Sequence, residues 1–360
     1  MKASFVIFLL LLCCALCTAQ GNIISVNNNA AAGADYTSLQ TAIDSADAGD
    51  IIYLYPSPTS YGSVSIAKPL TLYGPGFDLQ QNPSLSVQST FGNAIISNII
   101  LSSGADGGLI QGCQISQITA SSVNNYQVYR NKITNRLEFS NGANVKISSN
   151  FFTAGYVGSN RSHTTLTYIQ SAIISNNIYS NWDQFGSNQF ASGSNCNSRT
   201  DNLAVGASSG VVIENNYFRD RIIANDCLIK NNIFFHSTDA WNGGSCDYPI
   251  IGSGYQATNN VLNYGRDYGS TNQSGIHRDS VFLGYPSIGQ YSFDSRYQLS
   301  PNSPARGAGV NGVDCGPFGG EEPYQLSGLP PIPLIYEIDA PATGTAAGGL
   351  QVTIKARAID

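Results

Sequence analysis

One short unit constrains this chain more than any other feature. It reads Ile174-Ser175-Asn176-Asn177-Ile178, then Ile213-Glu214-Asn215-Asn216-Tyr217, then Ile229-Lys230-Asn231-Asn232-Ile233, with a looser copy at Ala257-Thr258-Asn259-Asn260-Val261. Weaker copies are Ile147-Ser148-Ser149-Asn150-Phe151, Arg130-Asn131-Lys132-Ile133, Gly112-Cys113-Gln114-Ile115 and Ser97-Asn98-Ile99. The first asparagine position falls at 97, 113, 131, 149, 176, 215, 231 and 259. The shortest steps are 16 to 18 residues, the compact length of one solenoid coil.

Apolar residues alternate around each asparagine pair as in a short strand. A strand that short has unpaired backbone groups on both edges, and it satisfies them by stacking on another coil about 4.8 Å away. Asparagine tolerates the left-handed backbone of a tight corner, and stacked asparagine amides bond along the stack as a ladder. A β-sandwich also contains many short strands, but it gives no reason for an asparagine pair at a fixed place in each unit. The expected fold is therefore all-β, a right-handed parallel β-helix. The apolar position after the pair is expected to form an internal column of Phe151, Ile178, Tyr217, Ile233 and Val261.

Three steps are longer than the rest: 149 to 176, 176 to 215 and 231 to 259. Each excess follows the apolar pair and precedes the next strand, so the insertions should gather on one face, the usual binding face of a solenoid.

The ends read as caps, which a solenoid requires. Leu39 to Ala46 forms a short helix with one apolar face, suited to plugging the N-terminal end, and the coils begin at Ile51 to Tyr55. Ser300-Pro301-Asn302-Ser303-Pro304-Ala305 and the glycine-rich 307–320 mark the exit. Leu329-Pro330-Pro331-Ile332-Pro333 is a stiff extended linker, and Ile335 to Ile338 and Leu350 to Ala356 read as a two-stranded extension, too small to be an independent domain. The division is 1–19 leader, 20–320 β-helix with its cap, and 321–360 linker and extension.

The leader follows from Met1-Lys2 and the apolar run Phe5 to Leu16, which is too short to span a bilayer and matches a secretory signal peptide cut between Ala19 and Gln20. No later segment is apolar enough to span, so a secreted monomer is expected. Export permits disulfides. Of the five mature cysteines, Cys113, Cys196, Cys227, Cys246 and Cys315, the two in long polar loops, Cys196 and Cys246, are the candidate pair. Charged residues are only 11% of the chain and the net charge is −6, which argues against a nucleic-acid partner, since phosphates need a basic face.

These units resemble those of the pectin-lyase-like superfamily of right-handed β-helices. So do Asp35-Tyr36-Thr37-Ser38-Leu39-Gln40-Thr41-Ala42-Ile43 with Gly49-Asp50-Ile51-Ile52, the run Ser65 to Gly74, and the ending from Ser303 to Gly320. The resemblance covers residues 30 to 320 and implies a fold used by lyases, hydrolases, esterases and non-catalytic surface proteins. Its enzyme signatures are missing. The chain lacks the Gly-His-Gly and paired aspartates of polygalacturonases, the Asp-Phe-Ile-Phe-Gly of pectin methylesterases and the arginine-rich motif of pectate lyases. No catalytic residue carries over.

The candidate site is therefore read from the insertions. Trp182 and Trp241 are the chain's two tryptophans, and their faces suit stacking on sugar rings; Arg199 and Arg219 complete the substrate-binding set. Arg221, His236 and Asp239 are the catalytic candidates. β-Elimination needs a base near the sugar C5 proton and a cation for the enolate; Arg221 suits the cation, and His236 or Arg219 the base. Hydrolysis needs two carboxylates roughly 5 to 9.5 Å apart, and Asp220 and Asp239 are the candidates. No cofactor is expected: scattered aspartates offer Ca²⁺ isolated ligands without the ordered spacing of an EF-hand loop. The partner expected is a polysaccharide or cell-surface glycan. The competing expectation is a non-enzymatic matrix or adhesion protein whose loop charges pair among themselves.

Overall fold

A computed structural model describes residues 21–82, 92–153, 163–180, 201–235, 248–263, 267–287, 289–344 and 348–357. The chain is a right-handed parallel β-helix. Among the described residues one sheet stacks ten strands in strict chain order of coils, from Ile23–Val26 and Ile51–Leu54 through Ala143–Ser148, Gln170–Ser175 and Ser209–Glu214 to Cys227–Lys230 and Gln256–Thr258. All neighbours are parallel, and the register keeps like positions in line: Ile147, Ile174, Ile213 and Ile229 stack one above another. Their side chains are sealed in the core, while Lys146, one residue earlier, faces outward, as strand alternation requires.

The second sheet shows how the molecule builds a loop face. Ser63–Ile66, Ile95–Leu101, Gln114–Ser121 and Lys132–Ser140 are single strands. The next coils split that strand in two. Phe151–Phe152 pairs with the start of Lys132–Ser140 and Thr164–Thr167 pairs with its end. The same division recurs at Ile178–Tyr179 and Leu203–Val205, at Tyr217–Phe218 and Ile222–Ile223, and at Ile233–Phe234 and Ile250–Ile251. The insertions of the three long steps therefore all leave from the same gap.

The asparagine corners stack, with a correction to their alignment. Each corner uses two positions. The first is left-handed: Gly112, Arg130, Ser149, Asn176, Asn215, Asn231 and Asn259 all have φ between 54° and 72°. The second carries the ladder, in which Asn131, Asn150, Asn177, Asn216, Asn232 and Asn260 each send the backbone N–H to Oδ1 of the next rung at 2.9 Å, ending on Asn272. Positions 113 and 131 belong to the second column, not the first, because Gly112 and Arg130 take the left-handed position there, and Ser97 lies within a strand. Asn272, which sits in a glycosylation sequon, has its amide committed as the last rung, donating to Ala257 O at 2.9 Å.

The expected internal column also needs correcting. Phe151, Ile178, Tyr217, Ile233 and Val261 do stack, but they point away from the helix interior. The interior column is the next residue of each coil, Phe152, Tyr179, Phe218, Phe234 and Leu262. Its rings stack at centroid distances of 4.3, 4.9 and 5.1 Å, close to the rung spacing of about 4.8 Å.

What buries the outward column is the C-terminal part of the chain. Phe282, Tyr297, Cys315 and Tyr324 form a second core with it. From Ala308 to Leu329 the chain runs back along the corners as a strap, and the left-handed column holds it. Asn259 Nδ2 donates to Ala308 O, Asn215 Nδ2 to Asp314 O, Asn176 Nδ2 to Pro317 O and Gly319 O, and Arg130 to Leu329 O, at 2.8 to 3.0 Å. A buried carboxylate fixes the far end: Asp294 accepts from Asn82, Ser292, Tyr324 and the Ser327 backbone. Residues 321–330 thus lie against the helix body, with Tyr324 and Leu329 buried.

The N-terminal helix, α1 (Leu39–Ser45), is capped by Ser38 and buries Leu39, Ala42 and Ile43. Lys68 Nζ closes its other end on the carbonyls of Asp44 and Ala46. The first coil strand, Ile23–Val26, precedes it and pairs with Ile51–Leu54; the coils begin earlier than Ile51. At the C-terminus Leu334–Asp339 and Thr353–Arg357 pair antiparallel, among the described residues only with each other, and Ile338 and Ile354 are exposed. Among the described residues no helix is long and apolar enough to cross a membrane.

Candidate functional site

The gap in the second sheet is floored by the shortest of its crossings. Three residues, Arg219-Asp220-Arg221, join Tyr217–Phe218 to Ile222–Ile223, whereas the neighbouring coils insert residues 180–202 and 235–249. Backbone bonds tie these loop roots together: His163 N–H donates to Asp201 O at 3.0 Å, and Asn202 N–H to Arg221 O at 3.0 Å. Asn202 Oδ1 accepts from the Asp220 N–H at 2.7 Å. Loops that differ in length therefore leave from one rigid shelf.

The shelf carries opposed charges. Arg221 Nε donates to Asp201 Oδ1 in a close ion pair, both side chains largely shielded. Burial raises the Asp201 carboxyl above its ordinary value, with Arg221 pulling it back down. Arg219 donates to Ser180 O at 3.3 Å. His163 is 1% exposed; burial depresses its imidazole to about 4, and Asp220 opposes the shift. Its Nδ1 has no hydrogen-bond partner among the described residues. Tyr179, whose ring lies 6.5 Å from His163, bonds through its hydroxyl to Thr164 Oγ1 at 3.0 Å.

One coil below the first insertion, Arg136 pairs with Glu138 at 2.9 Å, and Gln117 supports the same guanidinium. Glu138, Thr165, Ala204, Ile223 and Ile251 stand in register on the outer face of the sheet beside the gap. That strip runs alongside the loop roots.

Of the residues expected from sequence to form a site, Arg219 and Arg221 are placed here, on one short turn. Trp182, Arg199, His236, Asp239 and Trp241 lie outside the described residues, as do Cys196 and Cys246. Asp201 and His163 appear in the sequence only as members of long loops; what singles them out is their position where the loop rejoins the sheet. Among the described residues Cys113, Cys227 and Cys315 are unpaired; they are buried, and their thiols are pushed up to about 12, chiefly by that burial. Among the described residues no group of three or more His, Cys, Asp or Glu converges as metal ligands would.

In comparisons with known proteins no protein-family model matches the chain, and no curated protein does.

Proposed function

We propose that this chain is a secreted, monomeric β-helix of the pectin-lyase-like type that binds an extended polysaccharide along its loop face. The observation that supports this most is the recurrent split of one strand position in successive coils, which sends the three long insertions to the same edge beside the Arg219-Asp220-Arg221 turn. A row of coils about 4.8 Å apart presents a linear, repeating surface, and a linear, repeating polymer is its natural complement. Arg221 is the cation nearest to hand for stabilising an enolate in an elimination. In the resting arrangement Asp201 holds it, so a substrate carboxylate would have to displace Asp201.

The experiment is to incubate the purified mature protein with acidic and neutral polysaccharides, following binding, unsaturated ends and reducing sugar. Retention by at least one polymer supports the reading, and products of either kind add catalysis to it. No binding and no product across a broad panel overturns it.

A second reading is a non-enzymatic matrix or adhesion protein. The Arg221–Asp201 and Arg136–Glu138 pairs favour it, since charges that neutralise one another serve a fixed scaffold. The exposed apolar residues Ile338, Leu350, Val352 and Ile354 around the C-terminal strand pair favour it too.

A further inference from the structure

A second groove, of about 350 Å³, lies between the outer face of the ten-stranded sheet and the strap, away from the loop face. One wall is the sheet, with Lys146, Ile173, Ser175, Glu214 and Lys230. The other is the strap, with Asn311, Glu321 and Glu322. We propose that this groove binds a neutral, extended oligosaccharide, as a site separate from the loop face.

The chemistry of the walls selects the ligand. Lys146 meets Glu322 across the groove at 2.5 Å, and Lys230 meets Glu214 on the sheet wall at 2.9 Å. Each pair offers ammonium donors beside carboxylate acceptors, which together match the hydroxyl groups of a sugar. Glu321 has no hydrogen-bond or ion-pair partner among the described residues, and it adds an acceptor for a hydroxyl donor. Carboxylates outnumber ammonium groups here, so a polyanion is repelled. Ile173 is 41% exposed and offers an apolar patch to the C–H face of a pyranose.

The geometry selects the shape. Ser175, Glu214 and Lys230 of the sheet wall are in register on consecutive coils. At about 4.8 Å per coil this row extends roughly 10 Å. One coil is close to the advance of one pyranose in an extended, equatorially linked chain, so successive sugars meet successive rungs. The left-handed asparagines hold the strap backbone against the corners and so fix that wall of the groove, and a ligand passing Lys146 would have to exchange its contact with Glu322 for hydroxyl groups.

The test is a titration of the mature protein with cellohexaose, with hexagalacturonate as the acidic counterpart. Binding is followed by calorimetry and by amide chemical shifts at Ile173 and Asn311. We expect saturable cellohexaose binding, shift changes at both residues, and at least a tenfold loss of affinity in a Glu214→Gln/Lys230→Met double variant with unaltered thermal unfolding. Removing the two charges together avoids stranding either one. No saturable binding of cellohexaose overturns the proposal, as does undiminished affinity in the double variant. If hexagalacturonate alone binds, the groove assignment fails while the loop-face reading stands.

Discussion

Asn216 accepts two hydrogen bonds on its side-chain oxygen from Asn177, one from the backbone N–H at 2.9 Å and one from Nδ2 at 3.0 Å. Its own Nδ2 is shared among Ile174 O, Glu214 O and Asn232 Oδ1 at 2.8 to 3.0 Å. One fully buried amide therefore ties three coils together. Replacing it with alanine leaves a buried N–H and a buried carbonyl without partners, each costing about 1–3 kcal/mol. Asn216→Ala should lose about 3 kcal/mol of unfolding free energy by urea titration, and Asn216→Asp should lose less than the alanine variant at acid pH, where a protonated carboxyl donates again. Equal losses for the two at every pH would contradict this account.

The strap's attachment separates into two effects at Asn176. Its backbone is left-handed, with φ of 56°, and its Nδ2 binds two strap carbonyls. Asn176→Gly keeps the backbone free of strain and loses only the strap bonds, whereas Asn176→Ala loses both. We expect both variants to show faster proteolysis within 308–329, and alanine to be about 1 kcal/mol less stable than glycine.

His163 makes stability depend on pH. Burial lowers its folded-state value to about 4, below the ordinary 6.5, so the unfolded chain binds the proton first. Its contribution is intact above 6.5 and is lost as pH falls towards 4, up to about 3 kcal/mol in all. Asp294 and Asp201, both raised by burial, work in the opposite sense, since the folded state holds their protons more tightly. Denaturation of the wild type and of His163→Leu between pH 4 and 7 checks the assignment: the variant should show the shallower acid loss.

Removing Arg221 should cost more than removing its whole ion pair. Arg221→Ala strands the shielded Asp201 carboxylate, at a cost of about 2–3 kcal/mol, while Arg221→Met with Asp201→Asn should recover most of it. A double-mutant cycle measures the coupling. If Arg221 also serves chemistry, the double variant regains stability without regaining turnover on any polymer the protein is found to cleave.

The thiols of Cys113, Cys227 and Cys315 should be silent towards a thiol reagent in the folded protein and react on denaturation, because each is buried and held protonated up to about 12. Rapid modification of Cys315 in native protein would show that the strap opens.

The asparagine pairs determined the architecture by themselves. A left-handed residue followed by a ladder residue, repeated at coil length between short apolar strands, has one economical solution, and Asn177 over Asn216 over Asn232 is that solution realised. Local chemistry also specified α1 and the last two strands, since capping and alternation act within a few residues. Which of the two apolar residues after each pair faces inward was undetermined, because both Ile178 and Tyr179 are apolar and both end up buried. The choice rests on a partner some hundred residues away: the strap covers the Phe151–Val261 column, so it could remain apolar while facing outward. The shelf at Asp201, Arg221 and His163, and the groove between Lys230 and Glu321, were likewise decided only by the tertiary structure. Stacking brings residues of different coils within a few ångströms of one another, and no local propensity encodes which of them will meet.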